Sequence, residues 1–315
     1  MTPPIFISVC IPAYKNTVYL KRVLDSIAGQ TFRDFEVVVT DDSPDDQVQA
    51  LCEQYKAQFP LEYVRNRPSL GTPENWNEGL RRAKGAWIKL MHDDDWFRSH
   101  DSLQVFADAA KANKGDFIFS AYYNIYLQTN RTEIITPASS RIAALLKEPA
   151  TLFAKNIIGP PSVIMHRNDQ RFFYDRQTKW VVDIDFYIRR LATEKVHYID
   201  QPLINVGMSD QQVTMDCIGN RKVQIPENFY LLNKIGTGCL RHVLVYDAWW
   251  RLMRNLEVVQ EQEIRAAGYA GPIHPVILSM VNWQRRVPRS LLTKGFISKI
   301  SMFAHYLTHR NSIGR

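Results

Sequence analysis

The most informative stretch of the chain is Ala86-Trp87-Ile88-Lys89-Leu90-Met91-His92-Asp93-Asp94-Asp95-Trp96. Residues 86–90 form a short apolar segment, which predicts a buried strand, and residues 102–113 predict a helix. Three adjacent carboxylates at a strand end repel one another unless a cation neutralises them. Hard oxygen ligands suit Mg²⁺ or Mn²⁺, which bridge to substrate phosphates. These residues alone leave two interpretations open, a divalent-metal site and a solvated acidic turn.

The composition limits the class of protein. The chain has 315 residues, of which 45% are hydrophobic, and this is enough for a sizeable core. A formal charge of +7 and a pI near 9.2 favour an anionic partner such as a nucleotide, a nucleic acid or an anionic lipid. The four cysteines form neither a CxxC pair nor a zinc spacing, so we interpret them as reduced thiols.

The N-terminus predicts a protein that stays in the cytoplasm. It begins Met-Thr-Pro-Pro and enters a predicted strand at once, without the basic start and long apolar stretch of a signal peptide. No run of about 18 apolar residues occurs, so no transmembrane helix is expected. We expect a cytoplasmic protein, either free or peripheral on the inner face of the cytoplasmic membrane.

Strands alternate with helices along the first 119 residues. Apolar runs predict strands at 5–11, 35–39, 61–64, 86–90 and 116–119. Apolar residues at helical spacing predict helices at 18–28, 48–59, 73–83 and 102–113. This alternation predicts an α/β fold with a Rossmann-like, mostly parallel sheet and helices on both faces. Right-handed crossovers place the strand C-termini at one edge, where ligands are expected to bind.

The rest of the chain is less regular. Residues 120–215 are mixed, with one clear helix at 184–193. After residue 216 the pattern is helical, with helices predicted at 229–256 and 291–309 and a loop at 268–275.

Polar residues follow the first two strands. Pro12-Ala13-Tyr14 contains no glycine pattern, which argues against a dinucleotide-binding turn and a P-loop. Tyr14 either stacks on a base or lies at the edge of the core. Asp41-Asp42-Ser43 ends the second strand, where a carboxylate can accept hydrogen bonds from a base imide or a ribose hydroxyl. Ser43 or Asp45 is also a natural cap for the next helix, and both interpretations can hold together.

Five segments of the chain resemble family 2 inverting glycosyltransferases in their order and spacing. They are Ser8–Tyr14, Gln30–Val39, Asp41-Asp42-Ser43, Asn75–Gly85 and His92–Trp96. The resemblance covers about the first 215 residues. It implies the GT-A fold and the transfer of a sugar from a nucleotide-diphosphate sugar to an acceptor hydroxyl, with inversion at the anomeric carbon.

The resemblance also implies roles for individual residues. Asp42 is the expected nucleobase contact, and the acidic run matches the family's DXD-type metal motif, with His92 where the leading Asp usually stands. Asp94 and Asp95 are the expected ligands of Mn²⁺ or Mg²⁺. The expected nucleotide-sugar site consists of Pro12, Ala13, Tyr14, Asp42, Asn75, Asp93, Gln212 and Thr214.

An inverting reaction needs a general base near the acceptor hydroxyl. Val181–Leu191 resembles the family's "ED" stretch, in which the typical Asp matches Asp183. Asp183 opens a predicted helix, whose dipole is expected to hold the carboxylate ionised. The alternatives are that Asp183 only caps this helix and that Asp185 is the base.

Three further groups are candidates for substrate contact. The segment Gly159–Ser162 resembles a loop whose small residues admit a sugar. Asn205–Thr214 resembles the family's flexible phosphate-binding loop, although the usual Arg and His are not evident there. Arg81, Arg82 and Lys84 are cationic candidates for the diphosphate, although solvated helix charges are the simpler interpretation for at least two of them.

We therefore predict a GT-A catalytic domain at residues 1–215, with the nucleotide-sugar site in 1–100 and the acceptor side and base in 101–215. Residues 216–315 form a helical C-terminal region. Its last predicted helix has one apolar face, formed by Leu292, Phe296, Ile300, Phe303 and Leu307. Basic or titratable residues surround that face, namely Arg285, Arg286, Arg289, Lys294, Lys299, His305, His309 and Arg310. This face could meet an anionic membrane, the catalytic domain or a second subunit.

The expected function is a step of bacterial surface polysaccharide synthesis on a saccharide or lipid-linked saccharide acceptor. A sugar-phosphate nucleotidyltransferase is a rival, but it normally brings a Gly-rich basic loop after its first strand. A non-catalytic nucleic-acid-binding protein is a weaker rival, because the basic residues concentrate after residue 220, away from the acidic run. We expect no nucleic-acid partner.

Overall fold

The computed structural model describes residues 5–129, 131–208 and 217–313. The chain divides into two compact units. The first unit contains Met1–Ser139, Ile158–Gln177 and Arg189–Asp210. The second unit contains Ser140–Ile157, Thr178–Ile188 and Gln211–Arg315. This division differs from a single boundary after residue 215, because residues 140–157 and 178–188 are grouped with the C-terminal helices.

The first unit is built on one sheet. Its described strands are β1 (Ile7–Ala13), β2 (Phe35–Asp41), β3 (Leu61–Arg65), β4 (Trp87–Leu90), β5 (Trp96–Phe97), β6 (Phe117–Tyr126), β7 (Arg131–Ile135), β8 (Ile164–Arg167) and β9 (Val196–Met208). Their order is β3-β2-β1-β4-β8-β6-β9-β5, with β7 beside β6. All seven residues of β1 are buried, as expected for a continuous apolar strand covered on both faces.

The sheet is parallel in its first half and mixed in its second. β3, β2, β1 and β4 run parallel, as the alternation of strands and helices predicts. β8 is antiparallel to both β4 and β6, β7 is antiparallel to β6, and β5 is antiparallel to β9. A short connection joins β6 to β7, and only antiparallel strands can be joined in that way.

The strand order reverses between β1 and β4. The chain proceeds from β1 to β2 and β3 on one side, and then returns to place β4 on the other side of β1. Ligands of open α/β sheets bind outside the strand C-termini at such a switch point. Tyr14 follows β1 and His92 follows β4, so both lie at this point.

The helices largely follow the apolar patterns. In the first part of the chain they are α1 (Thr17–Ala28), α2 (Gln47–Glu53), α3 (Glu74–Arg82), α4 (Ser102–Lys111), α5 (Ser139–Lys147) and α6 (Val182–Leu191). The pattern did not reveal α5, in which Leu145 alone is buried. α2 is shorter than predicted, and residues beyond it form turns in which Tyr55 and Phe59 are still buried.

The second unit has its own helical core. Its C-terminal helices are α7 (Arg221–Ile235), α8 (Val243–Asn255), α9 (Glu261–Ala266), α10 (Pro275–Arg286), α11 (Arg289–Leu292) and α12 (Gly295–His309). One long helix was predicted where α7 and α8 lie, but Gly236, at φ 94°, ends α7. Trp249 packs against Phe229 and Phe153 in this core. Phe153 comes from an inserted segment, which explains why that segment belongs to this unit.

None of the helices formed by the described residues is both long and apolar enough to cross a membrane. Cys10, Cys52, Cys217 and Cys239 are free thiols, and the first three are buried.

Candidate active site

The acidic run after β4 is held by groups from three other parts of the first unit. The backbone N–H of His92 donates to Ser162 Oγ at 2.9 Å. Arg22, on α1, donates from Nη2 to the carbonyl oxygen of Asp94 at 2.9 Å. The N–H of Gly207, on β9, donates to Asp95 Oδ1 at 3.0 Å. Two of these contacts hold the backbone of the run, and the third holds the Asp95 side chain.

Gly207 is required by this close approach. A Cβ at residue 207 would collide with the carbonyl oxygen of Asp94. A glycine inside a strand often marks a place where another backbone comes close. The contact also explains why β9 can donate to Asp95.

Three side chains of the run could hold a metal ion. Ligand atoms of His92, Asp94 and Asp95 all lie within 4.8 Å of one another. Asp95 is only 1% exposed, and its Oδ2 makes no hydrogen bond to any described group. Burial and the neighbouring Asp94 charge raise the pKa of Asp95 well above its usual value. A buried carboxylate oxygen without a partner fits a cation ligand, and the carboxylates of this set suit Mn²⁺ or Mg²⁺.

His92 is a third candidate metal ligand beside the two predicted ones, Asp94 and Asp95. The sequence pattern marked it only as a departure from the usual Asp. Its ring packs 4.7 Å from the Trp76 ring, and burial lowers its pKa. A neutral imidazole is the form that binds a metal. The signal in the sequence was a histidine directly before the carboxylates.

Lys89 lies beneath the acidic run with its side chain fully buried. Its Nζ donates to the carbonyl oxygen of Ser162 and, at 3.3 Å, to that of Leu90. Burial lowers the pKa of Lys89 to about 7, and the charge of Asp95 opposes that shift. Lys89 belongs to the predicted apolar strand at 86–90. A lysine inside such a strand is itself a sign that a negative charge lies nearby.

Asp42, the predicted nucleobase contact, is buried at the end of β2 and already accepts three hydrogen bonds. Asn66 Nδ2 and the N–H of Leu70 donate to Oδ1 at 2.8 and 3.0 Å. The N–H of Gly71 donates to Oδ2 at 2.7 Å. A carboxylate has about four acceptor positions, so Asp42 can bind a ligand while it shapes the loop that follows β3.

The start of α2 does not use Asp42. Its N-cap residue, Asp46, forms no capping hydrogen bond through its side chain. Asp45 Oδ1 accepts from the N–H of Gln47, the first residue of α2, at 3.1 Å. Asp41 is fully buried and accepts from the hydroxyl of Tyr63 at 2.7 Å. The side chain that bonds to the first residue of α2 is therefore Asp45 and not Asp42.

The residues after β1 meet the acidic run. The N–H of Tyr14 donates to Asp93 Oδ2 at 3.3 Å, and burial together with the Asp94 charge raises the pKa of Asp93 to about 7. The Tyr14 side chain is 54% exposed, so it does not belong to the edge of the core. An exposed ring beside a strand end is able to stack on a base.

Asn75 and the β1 residues Pro12 and Ala13 are buried. Asn75 Oδ1 accepts from Asn66 Nδ2 at 2.9 Å, and its Nδ2 donates to the carbonyl oxygen of Ala13 at 3.4 Å. These bonds tie the start of α3 to the ends of β1 and β3. They give Asn75 a structural role whether or not it also contacts a ligand.

The cationic candidates on α3 and just after it form ion pairs with glutamates. Arg81 pairs with Glu74 and Glu78. Arg82 pairs with Glu78 and Glu62, and Lys84 pairs with Glu62 at 2.8 Å. The structure thus favours the simpler interpretation, in which these are charges of a solvated helix face.

Of the two segments predicted to line the substrate site, the structure describes Gly159–Ser162 fully and Asn205–Thr214 only in part. Ser162 is fully buried and its Oγ accepts from the N–H of His92, which gives it a structural role, and the close approach of a sugar to this loop stays a prediction. Gly159 has φ 108°, and a Cβ there would lie 2.6 Å from the Tyr122 ring, so glycine is needed for packing. Gln212 and Thr214 lie outside the described residues.

Asp183 belongs to the second unit, in the first turn of α6. Its Oδ1 is buried without a hydrogen-bond partner. Burial raises the pKa of Asp183 to about 7, so desolvation outweighs the helix dipole that was expected to keep it ionised. Asp185 is fully buried and forms an ion pair with Lys234 at 2.7 Å, which makes it a poorer base.

Glu227, on α7, anchors the segment before α6. Its Oε2 accepts from the N–H groups of Lys179, Trp180 and Val181 at 3.0, 2.7 and 3.2 Å. This arrangement fixes the direction in which the chain enters α6, and therefore the position of Asp183 within the second unit. Sequence periodicity does not predict these contacts of Glu227.

Comparison with solved structures shows the fold. Staphylococcus aureus TarS residues 1–349, in complex with UDP-GlcNAc, matches with a TM-score of 0.57 at 15% identity, over 98% of this chain and 92% of TarS. The mannosyltransferase PcManGT of Pyrobaculum calidifontis, in complex with GDP-Man and Mn²⁺, matches with a TM-score of 0.53 at 14% identity, over 98% of this chain and 86% of that chain.

Comparison of sequences shows the family. The chain is 31% identical over 91 residues to the GalNAc(5)-diNAcBac-PP-undecaprenol beta-1,3-glucosyltransferase of Campylobacter jejuni, a match to 28% of this chain and 29% of that enzyme. It spans less than two thirds of the length of the curated relatives it matches first. A family model described as Glycosyl transferase family 2 matches residues 8–197, more than half of the chain. The protein therefore belongs to glycosyl transferase family 2 and has the GT-A fold.

Proposed function

We propose that this glycosyltransferase is a metal-dependent, inverting enzyme that uses a nucleotide-diphosphate sugar. The observation that carries the proposal is the cluster of His92, Asp94 and Asp95 at the switch point between β1 and β4. One oxygen of this cluster, Asp95 Oδ2, is buried without a partner. An unpaired buried carboxylate is costly unless a cation binds it.

The residues of the cluster would hold the metal ion, which is Mn²⁺ or Mg²⁺ in this proposal. When bound, such an ion stabilises, as a Lewis acid, the charge that develops on a diphosphate leaving group. The protein itself supplies orientation, because Ser162 and Arg22 hold the backbone of the cluster and Gly207 holds the Asp95 carboxylate.

The donor is a UDP-, GDP- or TDP-linked sugar. In this proposal Asp42 accepts a hydrogen bond from the base, the Tyr14 ring stacks on it, and Asp93 lies near the ribose. The N–H of Tyr14 already joins Asp93 to the end of β1. Two neighbours of known structure were solved with UDP-GlcNAc and with GDP-Man, which supports the class of donor.

Asp183 is the proposed general base. To accept a proton from the acceptor hydroxyl, it must be ionised near neutral pH and must have an oxygen that no other group occupies. Its pKa of about 7 and its unpartnered Oδ1 meet both conditions. Asp185 is the less suitable candidate in this proposal, because its Oδ1 already forms an ion pair with Lys234 at 2.7 Å.

The proposed acceptor is a saccharide or a lipid-linked saccharide used in bacterial surface polysaccharide synthesis. The name of the Campylobacter jejuni relative includes an undecaprenol-linked saccharide. The shared 91 residues of that match support this class of acceptor without identifying the sugar or the linkage.

The products released from two alternative sets of substrates test the proposal. The enzyme is given either a nucleotide-diphosphate sugar with a saccharide acceptor, or a nucleoside triphosphate with a sugar 1-phosphate, each with Mn²⁺. A glycosyltransferase releases a nucleoside diphosphate in the first case and nothing in the second. Pyrophosphate released in the second case would instead identify a sugar-phosphate nucleotidyltransferase.

A further inference from the structure

The last long helix of the second unit, α12, exposes an apolar stripe. The stripe consists of Phe296, Ile300, Phe303 and Leu307, and its members range from 77% exposed at Phe296 to 46% at Leu307. Their spacing places them on one side of the helix. Four large apolar side chains exposed side by side are unusual on a soluble surface and mark an interaction site.

The opposite side of α12 is already used for packing. Ser298, Met302 and His305 are buried. His305 bonds to the hydroxyl of Tyr246 at 2.6 Å and to Ser279 Oγ at 3.0 Å. These contacts hold α12 on its own unit and turn the stripe outward. They also correct two sequence predictions, because His305 is not a surface group and Leu292 is buried away from the stripe.

A basic groove of about 720 Å³ adjoins the N-terminal end of this helix. Four arginines and one glutamate line it, namely Arg254, Arg285, Arg286, Arg289 and Glu257. Glu257 is paired with Arg289, whereas Arg285 and Arg286 form no ion pair among the described residues. The groove is therefore cationic, with two exposed guanidinium groups available to an anion.

The groove and the stripe lie next to each other along the chain. Leu292 and Thr293 line the groove, and the stripe begins at Phe296 on the same short stretch of chain. Arg254 reaches from the groove to α12, donating from Nη1 to Ser298 Oγ at 2.8 Å. Lys294 and Lys299 lie exposed next to Phe296 and Ile300 in the sequence.

We infer that this surface docks the enzyme on a membrane that contains anionic phospholipids. The stripe inserts among the acyl chains near the headgroups, and Arg285 and Arg286 bind lipid phosphates. An apolar stripe with a basic border is what an in-plane interfacial helix requires. A second copy of the chain would cover the apolar stripe, but it gives no reason for the two unpaired arginines beside it, whereas an anionic membrane accounts for both.

Sedimentation with vesicles tests this inference without any need for transferase activity. The full chain is mixed with phosphatidylcholine vesicles, with or without phosphatidylglycerol, at low and high salt. We expect sedimentation with the anionic vesicles at low salt and much less in the other conditions. Failure to sediment with anionic vesicles at low salt, or equal sedimentation with neutral ones, would overturn the inference.

Two double variants separate the parts of the surface. Arg285→Gln with Arg286→Gln should weaken partitioning about 30-fold, since each basic residue contributes roughly five-fold near an anionic surface. Phe296→Ser with Phe303→Ser should weaken it by about 100-fold or more, because both rings lose burial in the membrane.

The controls exclude folding and self-association. Leu146→Ser removes a comparably exposed apolar side chain from α5 in the same unit, and it should bind vesicles like the wild type. Circular dichroism checks that each variant is folded. If the phenylalanine variant sediments normally, or if light scattering shows that it dissociates an oligomer, the stripe is not a membrane surface.

Discussion

Asp42→Ala separates the two roles that the structure gives this carboxylate. The substitution removes three hydrogen bonds, donated by Asn66 Nδ2 and by the N–H groups of Leu70 and Gly71. Hydrogen bonds to a charged group contribute about 1.5–3 kcal/mol each when buried. Leu70 and Gly71 are exposed, so water replaces part of this loss. We expect the free energy of unfolding to fall by about 2–4 kcal/mol.

If Asp42 also contacts the base, the same substitution weakens nucleotide binding. One hydrogen bond from a base imide to the carboxylate corresponds to roughly a 10- to 150-fold change in Kd. Urea unfolding gives the stability, and calorimetry with the free nucleoside diphosphate and Mn²⁺ gives the affinity. Both measurements are needed, because a distorted loop alone could also weaken binding.

Asn66→Ala is the matched control. It removes the bonds to Asp42 Oδ1 and Asn75 Oδ1, at 2.8 and 2.9 Å, and so loosens the same loop while leaving the carboxylate in place. We expect a loss of about 1–3 kcal/mol in stability but nearly unchanged nucleotide affinity. If the two variants lose affinity equally, or if Asp42→Ala loses none, then Asp42 does not contact the base.

Two further predictions concern the reaction. Asp94→Ala should remain folded but lose nearly all turnover, and chelators should do the same to the wild type; full activity in either case would refute the metal site. Asp183→Asn should keep nucleotide affinity but lose transfer by about 10²–10⁴-fold. Because Asp183 must be deprotonated to act as a base and its pKa is about 7, wild-type transfer should rise with pH through about 7 and then level off. Retention of more than about a tenth of wild-type transfer by this variant would exclude Asp183 as the base.

The sequence predicted the first half of the fold well because that half is regular. Apolar runs located β1, β2 and β4, and the parallel order followed from the helices between them. The mixed second half of the sheet could not be predicted in the same way, since β8 joins by antiparallel pairing on both sides. No helix was predicted where α10 lies, although its buried residues Val276, Ile277, Met280 and Val281 have helical spacing.

The site was predictable where chemistry shows in the residue type. The three carboxylates pointed to the strand end, and there Asp94 and Asp95 lie close together. Support from distant residues was not predictable, because Ser162 and Gly207 reach the run only through the folded chain. The pKa of Asp183 was misjudged for a similar reason, since burial is a property of tertiary packing.

Nucleotide release from a panel of donors is the most direct test of the central claim. Purified enzyme is incubated with UDP-, GDP- and TDP-linked sugars, with Mn²⁺ or with excess chelator, and the nucleoside diphosphate is quantified. The account predicts release from one class of donor, dependent on the metal and lost in Asp94→Ala. Release that persists in chelator and in Asp94→Ala would contradict the metal-dependent mechanism, and no release from any donor by folded enzyme supplied with saccharide acceptors would contradict the proposed use of these sugars.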